Sequence, residues 1–556
     1  MESSRTRNSI LDWLLAVSVA LAVLVALAGL DFRIGGLSIR AHGPLRVLAT
    51  TGILVAIRLR FGVESLPAWL TRMVLLTAIS GSVLTWFRYL LTTVGGADSF
   101  GYASASQLIA QGRLVDAAPI AEWLSAPNRL AIASPLGWAP SPDGSGIVPA
   151  YPIGVSMVMA LFSLATGSNG VFFVAPVMGL VTLYCVWRLA REWYDHETAL
   201  LATALVAWNP LIITYAKQPM SDIAATMWIA LALLLAMRAS ARSAFCSGLA
   251  AGFAVITRPA LLIAGALIPL AAHKGDSPRR RAMMSAVGFA IGVLAQMIIQ
   301  NLLFGSPFLT GYGSAANLFS TDYFDNNLGI FGRHLWTVLG PLLIAGLVLG
   351  LIAARPEPRF NSSVLLGGVA LPYLFYLPFD HWETLRFLLP GLVPLTILAA
   401  DGLMKIARVA RTPSVAAIAV TLIVAITAWQ SERLLRESSV WNVSVLEARY
   451  PLAGEWINVN TPPGSVVLAN QHSGSLRWYG KRQTLRWDFI APDQLVTSVR
   501  ELQSRGAAVY VALEGNEAEM FDQRFGGVID QLQVDYVGRI RNVSFRRLNY
   551  LPAPNR

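Results

Sequence analysis

Long apolar runs separated by short basic loops fill the chain up to about residue 430, where the pattern changes to one of short alternating segments. Crossing a bilayer takes roughly 20 apolar residues. The runs at 10–30, 44–60 and 70–94 meet that length. The next stretch, 95–169, breaks the pattern. It is rich in turn formers (Pro127, Pro135, Pro140, Pro142, Asp143, Gly144) and carries two helical signals. Tyr102, Ala105, Leu108 and Ile109 fall at helical spacing within 99–114, and the apolar segment 151–167 reads as a helix lying in the membrane interface. Further spans are expected at 170–188, 197–215 and 222–238. Two short arms follow at 244–257 and 259–272, joined by Thr257-Arg258-Pro259. A span at 282–303 leads to a second polar loop, 304–333, and spans at 334–354, 362–379, 386–404 and 412–430 complete the series. Beyond 431, a Pro-Pro-Gly turn before the strand 466–469, a helix near 492–505, a strand at 507–512 and a hairpin at 534–549 predict a small α/β domain.

Composition agrees with this pattern. Of 556 residues, 55% are hydrophobic and 13% charged, against about 25% charged in soluble proteins; the mean hydropathy is +0.54. The expected fold class is a polytopic α-helical membrane protein of about 13 spans, residues 1–430, with a C-terminal extracytoplasmic α/β domain, 431–556. The net charge of +11 gathers in short loops, which fits the positive-inside rule better than a nucleic-acid partner. Arg5/Arg7, Arg58/Arg60/Arg72, the clusters 273–274 and 279–281, Arg355, Arg359, Lys405, Arg408 and Arg411 then lie in the cytoplasm. Asp98, Asp222, Arg258 and the loops 95–169 and 304–333 lie outside. Arg33, Arg40 and Arg46 are a mild exception to the rule. The first run follows Arg5 and Arg7 and is too long for a signal-peptide core, so it reads as an anchor in a bacterial-type inner membrane. Cys185 and Cys246 sit in or beside apolar runs and form no metal or disulfide motif.

Ionisable groups at span ends on the outer face are the candidates for chemistry, because charge within a span costs about 2.5–3.5 kcal/mol at its centre. They are Asp98, Lys217, Asp222, Arg258, Asp380, His381, Glu383 and Arg386. Asp98, with Ser99 beside it, is either a helix cap or a working carboxylate. A transferase that uses a lipid-phosphate donor needs a carboxylate to take a proton from an acceptor hydroxyl, and cations to neutralise the departing phosphate. Arginine suits the second task through its planar, two-pronged donor set. The loop with Tyr312, Tyr323, Gly311 and Gly313 either closes over a sugar or is an ordinary amphipathic connector.

The order of these motifs resembles the GT-C glycosyltransferases that use polyprenyl-phosphate sugars, near the protein O-mannosyltransferases and the lipid A aminoarabinose transferase. The resemblance covers most of 70–430 and rests on GADSFGYASASQLIAQGRL, YAKQPMSD, the glycine-rich arm ending in Thr257-Arg258-Pro259, NLLFGSPF and RFLLPGLVPL. It implies an inverting transfer from a polyprenyl-phosphate sugar to an acceptor hydroxyl of a cell-envelope glycan, lipid or protein. Asp98 and Asp222 would be catalytic, Arg258 and Lys217 would hold the donor phosphate, and Tyr102, Tyr312, Tyr323, His381, Glu383 and Arg386 are candidate substrate contacts. A divalent ion (Mg or Mn), if used, would fall to Asp98 and Asp222. The chain departs from the mannosyltransferases in having Asp98-Ser99 where they have Asp-Glu, and only Tyr151-Pro152 echoes a loop element of the aminoarabinose transferase. A transporter or lipid flippase would place its ionisable groups near the bilayer midplane. A polymer ligase with a pyrophosphate-linked donor shares the same topology. His472, after the first strand of the C-terminal domain, reads as structural.

Overall fold

A computed structural model describes residues 30–34, 37–41, 68–314, 317–409 and 413–551. The expected spans at 10–30, save its last residue, and at 44–60 fall outside the described residues. Leu30–Ile34 and Leu37–Ala41 form a short antiparallel hairpin in the loop expected between them.

The apolar runs become helices with boundaries close to those expected. They are α1 (Ala68–Arg88), α2 (Asp98–Ala110), α3 (Gly154–Thr166), α4 (Val174–Trp193), α5 (His196–Ala207), α6 (Pro210–Tyr215) and α7 (Asp222–Ala236), followed by the two arms α8 (Ala241–Thr257) and α9 (Leu262–Ala272). Then come α10 (Pro278–Phe304), α11 (Phe324–Ala353), α12 (Pro356–Leu374), α13 (Leu389–Val409) and α14 (Pro413–Glu437). Among the described residues, five helical stretches are long and apolar enough to cross a membrane: Ser168–Trp193, Pro278–Phe304, Thr321–Ala353, Leu389–Val409 and Val415–Glu437. The helices depart from the sequence pattern in two places that shape the cavity region. The run expected as one span to residue 94 ends its helix at Arg88, and residues 89–97 form an irregular lead into α2. The expected second loop is shortened, because α11 already begins at Phe324 and kinks at Gly340-Pro341. Proline removes a helical hydrogen bond there, and Gly340 takes a positive φ of 69° that other residues resist.

Small residues let key helices touch backbone to backbone. On α8 and α10, Gly248 and Gly252 meet Ser285, Gly288 and Gly292; a Cβ at Gly252 would come within 2.7 Å of the Gly292 Cα. Ser247 and Ser285 bond across the same seam at 3.0 Å. This is the close small-residue packing of helices in lipid, where dispersion and interhelical hydrogen bonds take over from the hydrophobic effect. The seam fixes where α8 ends, and therefore where Arg258 stands.

After α14 come α15 (Arg449–Asn460), α16 (Ser473–Trp478), α17 (Leu495–Ser504) and α18 (Glu517–Phe525), with a five-stranded mixed sheet of β1 (Val466–Ala469), β2 (Gln483–Leu485), β3 (Val509–Glu514), β4 (Leu532–Ile540) and β5 (Val543–Tyr550). The strand order is β4-β5-β3-β1-β2; β1 pairs in parallel with β2 and β3, whereas β5 pairs antiparallel with β3 and β4. The all-buried β1 is the continuous apolar strand that its sequence suggested. This sheet region seats on the segment 94–136. Leu136 N donates to Ser473 Oγ at 3.0 Å, Arg486 N to the Ile132 carbonyl at 2.7 Å, Arg477 Nη2 to the Ala133 carbonyl at 2.6 Å, and Val94 N to the Tyr479 hydroxyl at 2.7 Å. His472 is fully buried between Ser475 and Glu514.

Candidate active site

α2 brings Asp98 to a cavity of about 370 Å³ whose wall also includes Tyr102, Tyr151, Asp222, Arg258 and Arg386. Asp98 is the first residue of α2, one position past the N-cap Ala97, so its carboxylate stands in the first turn of the helix. The approach to it is built from glycines. Gly96 turns the chain at φ 60°, and Gly137, at φ 85°, packs against Ala97 and Gly101. A Cβ at Gly101 would overlap the ring of Tyr151. That ring sits 5.1 Å from Tyr102 and 5.9 Å from Tyr312, centroid to centroid. The Tyr151 hydroxyl faces Asp98 across the cavity wall. Burial, with the charge of Asp98 next, holds the Tyr151 and Tyr102 hydroxyls protonated well above the usual phenol range.

The second carboxylate has a different environment. Asp222 opens α7 and is 1% exposed; its Oδ1 accepts from Arg258 Nη2 at 2.6 Å. Arg258 is held by the extended turn between α8 and the 3-10 turn Pro259–Leu261, and also reaches Ser221 Oγ and the Arg386 carbonyl, each at 3.4 Å. Ser221 in turn accepts from the Tyr102 hydroxyl at 3.0 Å. Arg386, from the 3-10 turn Trp382–Phe387, lies 3.8 Å from Asp98 Oδ2 and 3.8 Å from Asp222 Oδ1. Both guanidinium groups flank Phe387, at 5.6 and 5.2 Å from its centroid, and Phe387 stacks on Tyr373 at 4.8 Å. The two carboxylates therefore differ: Asp222 is closed and paired at 2.6 Å with Arg258, whereas Asp98 is 36% exposed, with Arg386 at 3.8 Å. Such a divided pair gives one carboxylate for proton transfer and one for fixing cations.

The donor set does not suit a divalent ion. Asp222 already carries an arginine, and a second guanidinium lies between it and Asp98. Among the described residues no three His, Cys, Asp or Glu side chains converge.

Of the remaining expected residues, Tyr312 lines the cavity, and Tyr323, His381 and Glu383 are not among its walls. Asp380 instead pairs with Arg333 and His334, each at 2.9 Å. Lys217 is also elsewhere: it is 1% exposed, donates to the Val440 carbonyl at 2.6 Å, and lies over the Trp441 ring at 4.9 Å. Burial pushes its ammonium down to about 8. The second cation facing the carboxylates is Arg386. Sequence reasoning named Tyr151 only as the echo of a loop element and passed over Tyr373, Gln296 and Gln300, all on the cavity wall. Tyr151 sits at the start of a helix that its sequence sends to the membrane interface, and the glutamines are uncharged residues in a span.

The dolichyl-phosphate-mannose-protein mannosyltransferase family model matches residues 147–302, the stretch that carries Tyr151, Asp222 and Arg258. No curated protein sequence matches the chain. Among solved structures, ArnT from Cupriavidus metallidurans bound to undecaprenyl phosphate superposes with a TM-score of 0.54 at 13% identity, over 85% of this chain and 97% of that one. Its apo form gives 0.52, also at 13% identity and with the same coverage. The arabinofuranosyltransferase AftD from Mycobacteria gives 0.50 at 15% identity, over 88% of this chain and 40% of its own length. The matched stretch is similar to that mannosyltransferase family, and the shared architecture shows that the chain has the GT-C fold of these structures.

Proposed function

We propose that the protein moves a sugar from a polyprenyl-phosphate donor to an acceptor hydroxyl on the outer face of a bacterial-type inner membrane, with inversion at the anomeric carbon. The observation that carries this reading is the unequal pair of carboxylates around two arginines in one cavity. Asp98 takes the proton of the acceptor hydroxyl. The oxygen forms a bond to the anomeric carbon as the bond from that carbon to the phosphate oxygen breaks, and the electron pair leaves on the phosphate. Arg258 and Arg386 stabilise that charge through charge-assisted hydrogen bonds, with Asp222 holding Arg258 in place. Tyr151, which shares the cavity wall with Asp98, flanks the base. The solved ArnT structure that shares the fold holds undecaprenyl phosphate, which supports a lipid phosphate as the donor's carrier here. The acceptor is a hydroxyl of an envelope glycan, lipid or protein, and the region 431–556 stands beside it on the outer side. The experiment is incubation of purified protein with a panel of polyprenyl-phosphate and polyprenyl-pyrophosphate sugars. Consumption of a monophosphate-linked donor supports the reading; consumption of pyrophosphate-linked donors alone makes the protein a ligase instead.

A further inference from the structure

The cavity has one polar wall that the carboxylate and arginine chemistry leaves unused. α10 presents Gln296, Ile299, Gln300 and Leu303 to it, the i, i+3, i+4, i+7 face of one helix. Leu294, Ile298 and Leu302 on the same helix are exposed, as expected for a helix apolar enough to cross a membrane. An amide is costly at such a place unless it is hydrogen-bonded. Gln300 is bonded: its Nε2 donates to the Leu309 carbonyl at 3.2 Å. Gln296 is not. It is 6% exposed, and its Oε1 is buried without a partner. The last torsion of a glutamine is soft, so either end of the amide can turn to the cavity.

What completes Gln296 must then come from what the cavity binds. An isoprenoid chain has nothing to offer an amide. A phosphate ester accepts hydrogen bonds and so satisfies only the amide's NH₂ end, and two arginines already face that group. A sugar hydroxyl or amine both donates and accepts, and so can satisfy the carbonyl oxygen. We propose that Gln296 is a specificity-determining residue that reads a hydroxyl or amino group on the donor's sugar. The inference rests on the reading of the cavity as a site for a lipid-phosphate sugar.

The test compares binding of undecaprenyl phosphate with binding of its mannosyl, glucosyl and arabinosyl esters, in the wild type and in Gln296→Leu. The wild type should prefer at least one glycosyl ester over bare undecaprenyl phosphate. In the leucine variant that preference should shrink by about 10-fold, while affinity for bare undecaprenyl phosphate stays within about 2-fold. The variant's thermal midpoint should not fall, because leucine removes an unpaired buried amide at similar volume. A leucine variant that keeps the preference, that loses both lipids equally, or that melts well below the wild type overturns the assignment. Lipid binding by the wild type without any sugar preference also overturns it and leaves the proposed function standing. A wild type that binds none of these lipids removes the proposed function itself.

Discussion

Removing the Arg258 guanidinium leaves Asp222, 1% exposed, as a buried charge without its close partner. Breaking such a pair costs about 3–5 kcal/mol, mostly the penalty of the stranded charge. Arg258→Ala should therefore lower the thermal midpoint sharply and abolish transfer. Adding Asp222→Asn should restore much of the stability and none of the activity. A double variant that transfers sugar at the wild-type rate would remove Arg258 from phosphate binding. Lys217 gives a second test at this scale. Its folded pKa of about 8 lies below the ordinary lysine value of 10.5, so between these pH values the unfolded chain binds a proton that the folded chain has released. Stability attributable to this side chain should rise with pH across that window, by up to about 3 kcal/mol. Wild type should accordingly gain on Lys217→Met in midpoint from pH 8 to pH 10; a constant difference means that the ammonium is not held down by burial. The sequence placed Lys217 and Asp222 five positions apart on one presumed surface, but could not show that the chain between them turns Lys217 under Trp441. It also undervalued Gln296, because a search for charges passes over an amide whose importance lies in its missing partner.

At the scale of elements, the glycines on α8 and α10 do what the apolar pattern alone cannot. Gly252→Ala would press a methyl to within 2.7 Å of the Gly292 Cα, so it should destabilise by about 1–3 kcal/mol and displace Arg258 at the end of the same helix. Gly367, within α12, has nothing within 4 Å of an added Cβ. Alanine there should instead stabilise by about 0.5–1 kcal/mol through helix propensity. Thermal midpoints of the two variants should move in opposite directions; a fall in both would mean that backbone contact at the seam is not what limits stability. The pairing of α8 with α9 around Thr257-Arg258-Pro259 was legible in sequence, since each arm alone is too short for a membrane and proline stops the first. The break between Arg88 and Asp98 was not. Leu91 and Val94 are buried inside the protein at 3% and 0% exposure, with Val94 N bonded to Tyr479, and apolar burial looks the same in sequence as apolar lipid contact.

For the whole molecule, the hydrogen bonds from residues 473–486 to residues 132–136 tie the sheet region to the loop that carries Asp98. The proposed topology puts both on one side of the membrane, opposite the basic loop 273–281. In a background lacking Cys185 and Cys246, single cysteines at the exposed positions Gln111 and Glu519 should react with an impermeant thiol reagent applied to intact cells, and one at Ser277 should react only after lysis. Labelling of Gln111→Cys and Ser277→Cys from the same side contradicts the topology. The change in composition after residue 430 was enough to anticipate the strands at 466–469 and 509–514. Their seating on α2 was not, because it depends on Gly474, where any side chain would overlap Phe100.

The proposed chemistry turns on Asp98 as the base, and a paired measurement on Asp98→Asn probes that role without disturbing the rest of the site: donor affinity and sugar-transfer rate on the same purified protein. Asparagine keeps the shape of the side chain, so the fold and the arginine site should persist. Transfer should fall by about 10²–10⁴-fold, the usual contribution of a positioned general base, while donor affinity changes little. A transfer rate near that of the wild type, with donor binding intact, contradicts the assignment of Asp98 as the base.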